Sequence, residues 1–422
     1  MPAADVKRTI DAVWRIESTR LIAGLARFVR DVGLAEDLAQ EALVAALEQW
    51  PESGVPDNPG AWLMATAKHR AIDRLRRNDV HRRKTEELGR DMELRGEADA
   101  PDLAAEAADP FDDDTLRLIF TACHPVLSVE ARVALTLRLL AGLTTKEIAR
   151  AYLLPEPTVQ QRIVRARRTL SAARVPIEVP ERSELPERLA SVLEAIYLIF
   201  NEGYAATAGD EWMRPELLDE ALRLGRRLAA LLPGEPEVHG LSALMELQAS
   251  RARARVGRDG EPILLLDQDR SRWDWLLVGR GLAALERAYA AGGAVGTYTL
   301  QAAIAACHSR ARAPEDTDWV SIVAIYDGLA QVAPSPVVDL NRAVAVGMAF
   351  GPAQALRLVD DLADEPALMG YHLLPTVRGD LLEKLGRLAD ARAEFERALT
   401  LTQNARERSV LLERIAGCSA RG

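Results

Sequence analysis

Residues 143–170 read LTTKEIARAYLLPEPTVQQRIVRARRTL, and the way this stretch folds decides what the rest of the chain is for. Thr144 and Glu147 stand at the spacing of a capping box, so a helix is expected to start after Thr144 and run through IARAYLL. Pro155 and Pro157 stop it. Pro157 is tolerated in the first turn of a second helix, where no intrahelical partner awaits its missing N–H; Val159, Ile163, Ala166 and Leu170 then recur at helical spacing. The other face carries Thr158, Gln161, Arg165 and Arg168, with Gln160 and Arg162 on its flanks. Glutamine pairs with adenine edges and arginine with guanine edges in a major groove, while further arginines neutralise phosphates. A helix-turn-helix that reads DNA is therefore expected, with a helix over residues 128–141 packing behind it.

The segment is basic in an acidic protein. Residues 143–174 hold seven Lys and Arg against Glu147 and Glu156, and residues 66–84 hold eight against Asp73 and Asp79, yet the 422-residue chain has a formal net charge of −10. Residues 86–114 hold twelve acidic side chains against Arg90 and Arg95, a balance equal to that of the whole protein. This Ala-rich, Pro-containing, weakly apolar segment is expected to be a flexible acidic linker between two basic modules. An apolar content of 48% with 5% aromatics, rich in Ala, Leu and Arg, points to an all-α fold, and the length exceeds one ordinary domain.

Cys123, Cys307 and Cys418 are too few and too far apart for a disulfide framework or a Cys-x-x-Cys site, and suit a reducing compartment. In Cys123-His124 and Cys307-His308 the paired side chains diverge by about 100° on a helix, which argues against a shared metal. No metal and no cofactor are expected. The start, MPAADVKRTIDAVWRIE, lacks a continuous apolar core and cleavage signature, and no 18-residue apolar run occurs, so a soluble cytoplasmic chain without a membrane partner is expected. There is neither a phosphate-binding Gly loop nor a convincing nucleophile or metal constellation, so enzymatic chemistry is not expected.

Upstream, AEDLAQEALVAALEQW (residues 35–50) forms an amphipathic helix pattern with Leu38, Ala42, Ala46 and Trp50 on one side and Asp37, Gln40 and Glu41 on another. After a Pro/Gly/Asn loop, NPGAWLMATAKHRAIDRLRR turns Trp62, Leu63, Ala67 and Ile72 inward and leaves Lys68, Arg70, Arg74, Arg76 and Arg77 available to phosphate. Asp73 is expected to pair with Arg76 or Arg77, and Trp50 and Trp62 to belong to the core.

The motifs DLAQEAL, AWLMATAKHRAIDRLRR and TVQQRIVRARRTL, in this order and divided by an acidic segment, resemble the two domains of extracytoplasmic-function sigma factors, promoter-recognition subunits of bacterial RNA polymerase. The resemblance covers residues 10–173 and divides the chain into region 2 (residues 1–85), the acidic linker (86–114) and region 4 (115–175). It implies that Asp37, Gln40 and Glu41 dock on the clamp of the polymerase large subunit, with region 4 meeting its flap. It also implies that Asp57 and Asn58 hold a base flipped from the upstream melted promoter element, beside a backbone strip of Lys68, Arg70, Arg74, Arg76 and Arg77. Thr158, Gln160, Gln161, Arg162, Arg165 and Arg168 then read the distal element. The linker is implied to thread the polymerase's basic RNA path.

Some 240 residues follow, whereas the family usually ends near the helix-turn-helix. In GRLADARAEFERALTLT, Gly386, Ala391, Phe395, Ala398 and Leu399 fall at tetratricopeptide spacing, echoed by Tyr326 and Val359 and by Pro334 and Pro366 as helix closers. Residues 186–422 are thus expected to form a tetratricopeptide-like helical array with a protein, peptide or small-ligand partner. IYLIFNEGYAATAGDEW and LLLDQDRSRWD resemble signatures of a sigma subgroup bearing such extensions, which makes Asn201, Glu202, Tyr204, Asp267, Gln268, Asp269 and Arg270 a candidate regulatory site. The plainer reading is a helix end at NEG and a turn at DQDR. Arg251, Arg253 and Arg255 are expected on a solvated face. Two rival functions stay open: a stand-alone, ligand-sensing helix-turn-helix regulator, and a tetratricopeptide scaffold that binds nucleic acid without sequence preference.

Overall fold

The computed structural model describes residues 3–88, 110–152, 154–204, 213–257, 263–402 and 405–421. Among these residues the fold is all-α, as composition implied, and it divides into two compact units, Met1–Ala195 and Ile196–Gly422.

The first unit begins with α1 (Ala3–Val29), α2 (Val32–Ser53) and α3 (Pro59–Leu88). Asp31 caps α2 by accepting from the Leu34 N–H at 2.7 Å. Leu38, Ala42, Ala46 and Trp50 are all buried, so the expected stripe of α2 is its core face. In α3 the inward row is Leu63, Ala67 and Ala71, while Ile72 is only half buried. A strict four-residue step carries the row to Ala71, which lets α3 lie close to its neighbours. Trp50 and half-buried Trp62 meet edge to face with centroids 5.3 Å apart.

Helix α4 (Pro110–Ala122), α5 (Val129–Leu139), α6 (Thr145–Ala151) and α7 (Glu156–Ala172) follow, and α8 (Leu185–Tyr204) carries the boundary between the units. The ends of the expected linker are helical, since α3 runs to Leu88 and α4 starts at Pro110; residues 89–109 lie outside the described residues. Asp114, assigned from its charge to a solvated tether, is instead 3% exposed and paired with Arg117 at 2.7 Å and Arg27 at 3.5 Å. Its carboxylate is a core group of this unit.

The second unit continues with α9 (Pro215–Leu231), α10 (Pro236–Ala249), α11 (Trp275–Ala290), α12 (Thr297–Arg310), α13 (Trp319–Val332), α14 (Pro336–Phe350), α15 (Pro352–Asp361), α16 (Leu373–Lys384), α17 (Leu388–Leu401) and α18 (Ala405–Arg421). Most helices pack chiefly on a neighbour in sequence, whereas α12 packs chiefly on α10, and apolar clusters link successive helices. Ala391, Phe395 and Ala398 are buried on α17 as the spacing required. Gly386 sits in the turn before α17 at φ 74°, and the small residue under the ring is Gly379, where an added Cβ would lie 2.6 Å from Phe395. Pro334 does follow the end of α13, but Pro366 opens a short 3-10 turn, Pro366–Leu368, beyond α15. No described helix is long and apolar enough to cross a membrane.

Candidate nucleic-acid interface

The helix-turn-helix forms as its local chemistry dictates. The Thr144 Oγ1 accepts from the Glu147 N–H at 3.1 Å, and the Glu147 carboxylate accepts in return from the Thr144 N–H at 2.7 Å, which closes the capping box. Pro155 is the N-cap of α7, and Pro157 lies in its first turn. Val159, Ile163, Ala166 and Leu170 are buried, and the remaining surface presents Thr158, Gln160, Gln161, Arg165 and Arg168 exposed, with Arg162 half buried. This face combines amide and guanidinium groups on a rigid helix, the donor set a major groove accepts. Ser128 caps α5, whose buried Val133, Leu135, Leu137 and Leu139 form the support behind the pair.

On α2, Asp37 is exposed and Gln40 and Glu41 are half buried. The two carboxylates are already engaged. Glu41 lies 3.3 Å from Arg70 and 3.4 Å from Arg74, which couples the expected docking surface to the expected phosphate strip. Both pairs are partly exposed and long, the kind of surface ion pair that contributes little. Lys68 is half buried and Arg76 exposed, whereas the side chain of Arg77 lies outside the described residues. Asn58 is the cap of α3, its side-chain oxygen accepting from the Ala61 N–H at 3.0 Å; Asp57 is exposed beside it. A base captured at this loop would meet a residue already committed to a helix start.

The sequence reading missed the residue at the centre of this unit. Glu36, beside Asp37, has a side chain only 2% exposed and accepts from Arg138 of α5 at 2.6 Å and from Arg167 of α7. Arg167 also reaches Asp37 at 3.3 Å. Thr19 of α1 donates to the Leu140 carbonyl at 3.0 Å on the same seam. The inner edge of α7 thus clasps the start of α2, the helix that carries Asp37, Gln40 and Glu41. An acidic residue on the inward side of α2 was the one available signal, since its partners lie 102 and 131 residues away.

In the second unit Glu202, Gln268 and Arg270 of the candidate regulatory set are buried, Asn201 and Tyr204 are half buried, and Asp267 and Asp269 are exposed. Glu202 is buried and lies 3.4 Å from Arg214. Gly203 admits the backbone of Leu218, whose nitrogen would stand 2.5 Å from an added Cβ. Tyr204 stacks on Phe200, with the Arg255 guanidinium 3.6 Å above its ring. Burial lowers the pKa of Arg255, so it does not belong to a solvated face, although Arg253 does; Arg251 is half buried. Asn201 is half buried and Asp267 exposed. Asp269 caps a 3-10 turn by accepting from Ser271, and Gln268 donates to the Ile263 carbonyl at 3.2 Å. Arg270 is 7% exposed, donating to the carbonyls of His308 (2.8 Å) and Ala311. It ties the DQDR turn to the end of α12. NEG falls in the last turn of α8 and DQDR in the 3-10 turns that follow residue 264.

Cys123 and Cys418 are buried and Cys307 half buried; the Cys123 sulfur lies 3.2 Å from the Thr136 hydroxyl, and burial pushes the Cys123 thiol up to about 11. Among the described residues no group of His, Cys, Asp and Glu is arranged to hold a metal.

The chain matches sigma-70 region 2 over residues 16–80, sigma-70 region 4 over residues 117–170, and a family of unknown function (DUF6596) over residues 188–289. An uncharacterized protein of Rhizobium meliloti is 44% identical over 395 residues, which cover 92% of this chain and 90% of that protein. A probable ECF RNA polymerase sigma factor of Mycobacterium tuberculosis, SigI, is 28% identical over 40% of this chain and 57% of its own length. The RNA polymerase sigma-H factor of Pseudomonas aeruginosa is 29% identical over 40% of this chain and 89% of its own. No solved structure matches significantly.

Proposed function

Because the chain belongs to the sigma-70 family of transcription initiation factors, we propose that it serves as an extracytoplasmic-function type sigma factor whose carboxy-terminal helical unit regulates it in cis. The observation that carries the promoter-reading role is the split of α7, with four apolar side chains buried and Thr158, Gln160, Gln161, Arg165 and Arg168 held outward. In this reading Gln161 and Arg165 contact base edges of the distal element, and Thr158, Gln160, Arg162 and Arg168 flank them on the backbone. Asp37, Gln40 and Glu41 meet basic residues of the polymerase clamp. Lys68, Arg70, Arg74, Arg76 and Arg77 follow the strand beside the melted element, and Asp57 and Asn58 edge the flipped base. Bond making belongs to the polymerase.

The second unit, read as a tetratricopeptide-like array, acts at the high effective concentration of a fused partner. Stacked neighbouring helices and the buried Ala391, Phe395 and Ala398 support that reading. Removing residues 196–422 is expected to change transcript yield; unchanged yield and promoter choice would reject cis regulation. For the reading face, Q161A and R165A are expected to relax base preference within the distal element by about tenfold or more while leaving polymerase binding intact. A uniform loss across all promoter sequences would instead reduce both residues to phosphate contacts.

A further inference from the structure

We propose that the first unit carries a binding site for a small anion with two or more phosphate groups, of the nucleoside di- or triphosphate class, in the cleft between the α1–α2 corner and the end of α7. The cleft measures 680 Å³, a size that accepts a small ligand, and Arg27, Arg30, Arg117, Arg167 and Arg174 line it. Two lining carboxylates, Asp31 and Glu178, face these five guanidinium groups, and Asp31 is committed to capping α2. Val32, Leu170, Val175 and Ile177 add an apolar wall.

The backbone gives the second observation. Helices α1 and α7 both end at this cleft, and the chain turns left-handed just beyond each end: at Arg30, directly after α1, with φ 54°, and at Arg174, two residues after α7, with φ 49°. Among the described residues these are the two non-glycine positions with positive φ. Such a helix stop ordinarily uses glycine, because a side chain there is strained. Two independent stops that both carry arginine, and both open on the same cleft, retain a strained backbone where it places a charge. Arg27 and Arg117 share Asp114, and Arg167 holds Glu36 and Asp37. Arg30 and Arg174 have no ion pair among the described residues. Their planar forks suit phosphate oxygens, and a cleft of 680 Å³ has room for more than one tetrahedral ion.

An anion seated here bridges α1 to α7 on the seam where Arg167 clasps Glu36 and Asp37. It therefore holds the two basic modules together. If the sigma-factor reading is correct, it opposes engagement of polymerase; the binding itself does not depend on that reading.

The test is titration of the full-length protein with ATP and with inorganic pyrophosphate at fixed ionic strength, followed by calorimetry. Saturable binding of one equivalent is expected, tighter for ATP if the apolar wall takes the base and equal for both if a free polyphosphate is the occupant. The variant R30G/R174G should weaken binding about tenfold or more, because two charge-assisted contacts go. Its melting temperature without ligand should be unchanged or higher, because glycine suits both turns. R165A/R168A, on the outer face of α7, should bind as the parent does. Absence of binding up to about 10 mM, binding indifferent to R30G/R174G, or equal loss in R165A/R168A would each overturn the proposal, the last by assigning the anion to the DNA-reading face.

Discussion

Replacing Arg167 with alanine should make the first unit less stable and yet better at binding polymerase. The guanidinium contacts a Glu36 carboxylate only 2% exposed, which keeps Arg138 at 2.6 Å when Arg167 is gone. A hydrogen bond to a buried charge contributes about 1.5–3 kcal/mol. The Asp37 contact, at 3.3 Å and 53% exposed, adds at most about 1 kcal/mol. A loss of about 2 kcal/mol from the clasped arrangement is a factor of about 30 in its equilibrium constant. In a unit of this size it lowers the melting transition by about 4–8 °C. Asp37 is freed by the same change, so the affinity for core polymerase should rise, up to about 30-fold if the free protein is almost wholly clasped. Calorimetry of the purified variant and a fluorescence titration with core polymerase measure the two effects. A lowered melting temperature with unchanged or weaker polymerase affinity would refute the idea that the clasp competes with docking.

Three further outcomes are expected. T144A and E147A should each destabilise the helix-turn-helix by about 1 kcal/mol, and the double variant by less than the sum because the two side chains cap each other, as urea titration of the first unit will show. R270M should destabilise the second unit by about 2–4 kcal/mol, since the carbonyls of His308 and Ala311 lose a buried charged donor, read as a lower urea midpoint with α1 to α7 unaffected. Burial, reinforced by Arg251 and Arg270, lowers the His308 pKa from 6.5 to about 4, so the unfolded chain takes up the proton first. Stability is therefore fully present above pH 6.5 and declines by about 3 kcal/mol as pH falls toward 4; H308N should flatten that slope in calorimetric scans.

What the sequence revealed was local, and what it hid was distant. The Thr144–Glu147 box and the Val159, Ile163, Ala166 and Leu170 stripe lie within a few turns of one another, so spacing alone placed both helices and the outward face of α7. The same logic failed by one residue in α3, where Ala71 rather than Ile72 turns inward, because hydrophobicity outweighed step length. Composition misassigned both ends of the acidic segment: Asp114 looks like a solvated charge until Arg27, 87 positions away, is brought to it. For Glu36 the one signal was its place on the inward side of α2, and its partners Arg138 and Arg167 were hidden by the same distance. Arg255 read as a surface cation and Arg270 as a ligand or turn residue, but a tyrosine ring packs on the first and two carbonyls at the end of another helix hold the second.

The most direct measurement is to map the 5′ ends of transcripts made by purified core RNA polymerase on a genomic fragment library, with and without the full-length protein. Discrete start sites that appear only in its presence, downstream of a shared two-part element, are the predicted result. Initiation that stays scattered although the protein binds the same fragments by itself would contradict the account and restore a stand-alone DNA-binding regulator.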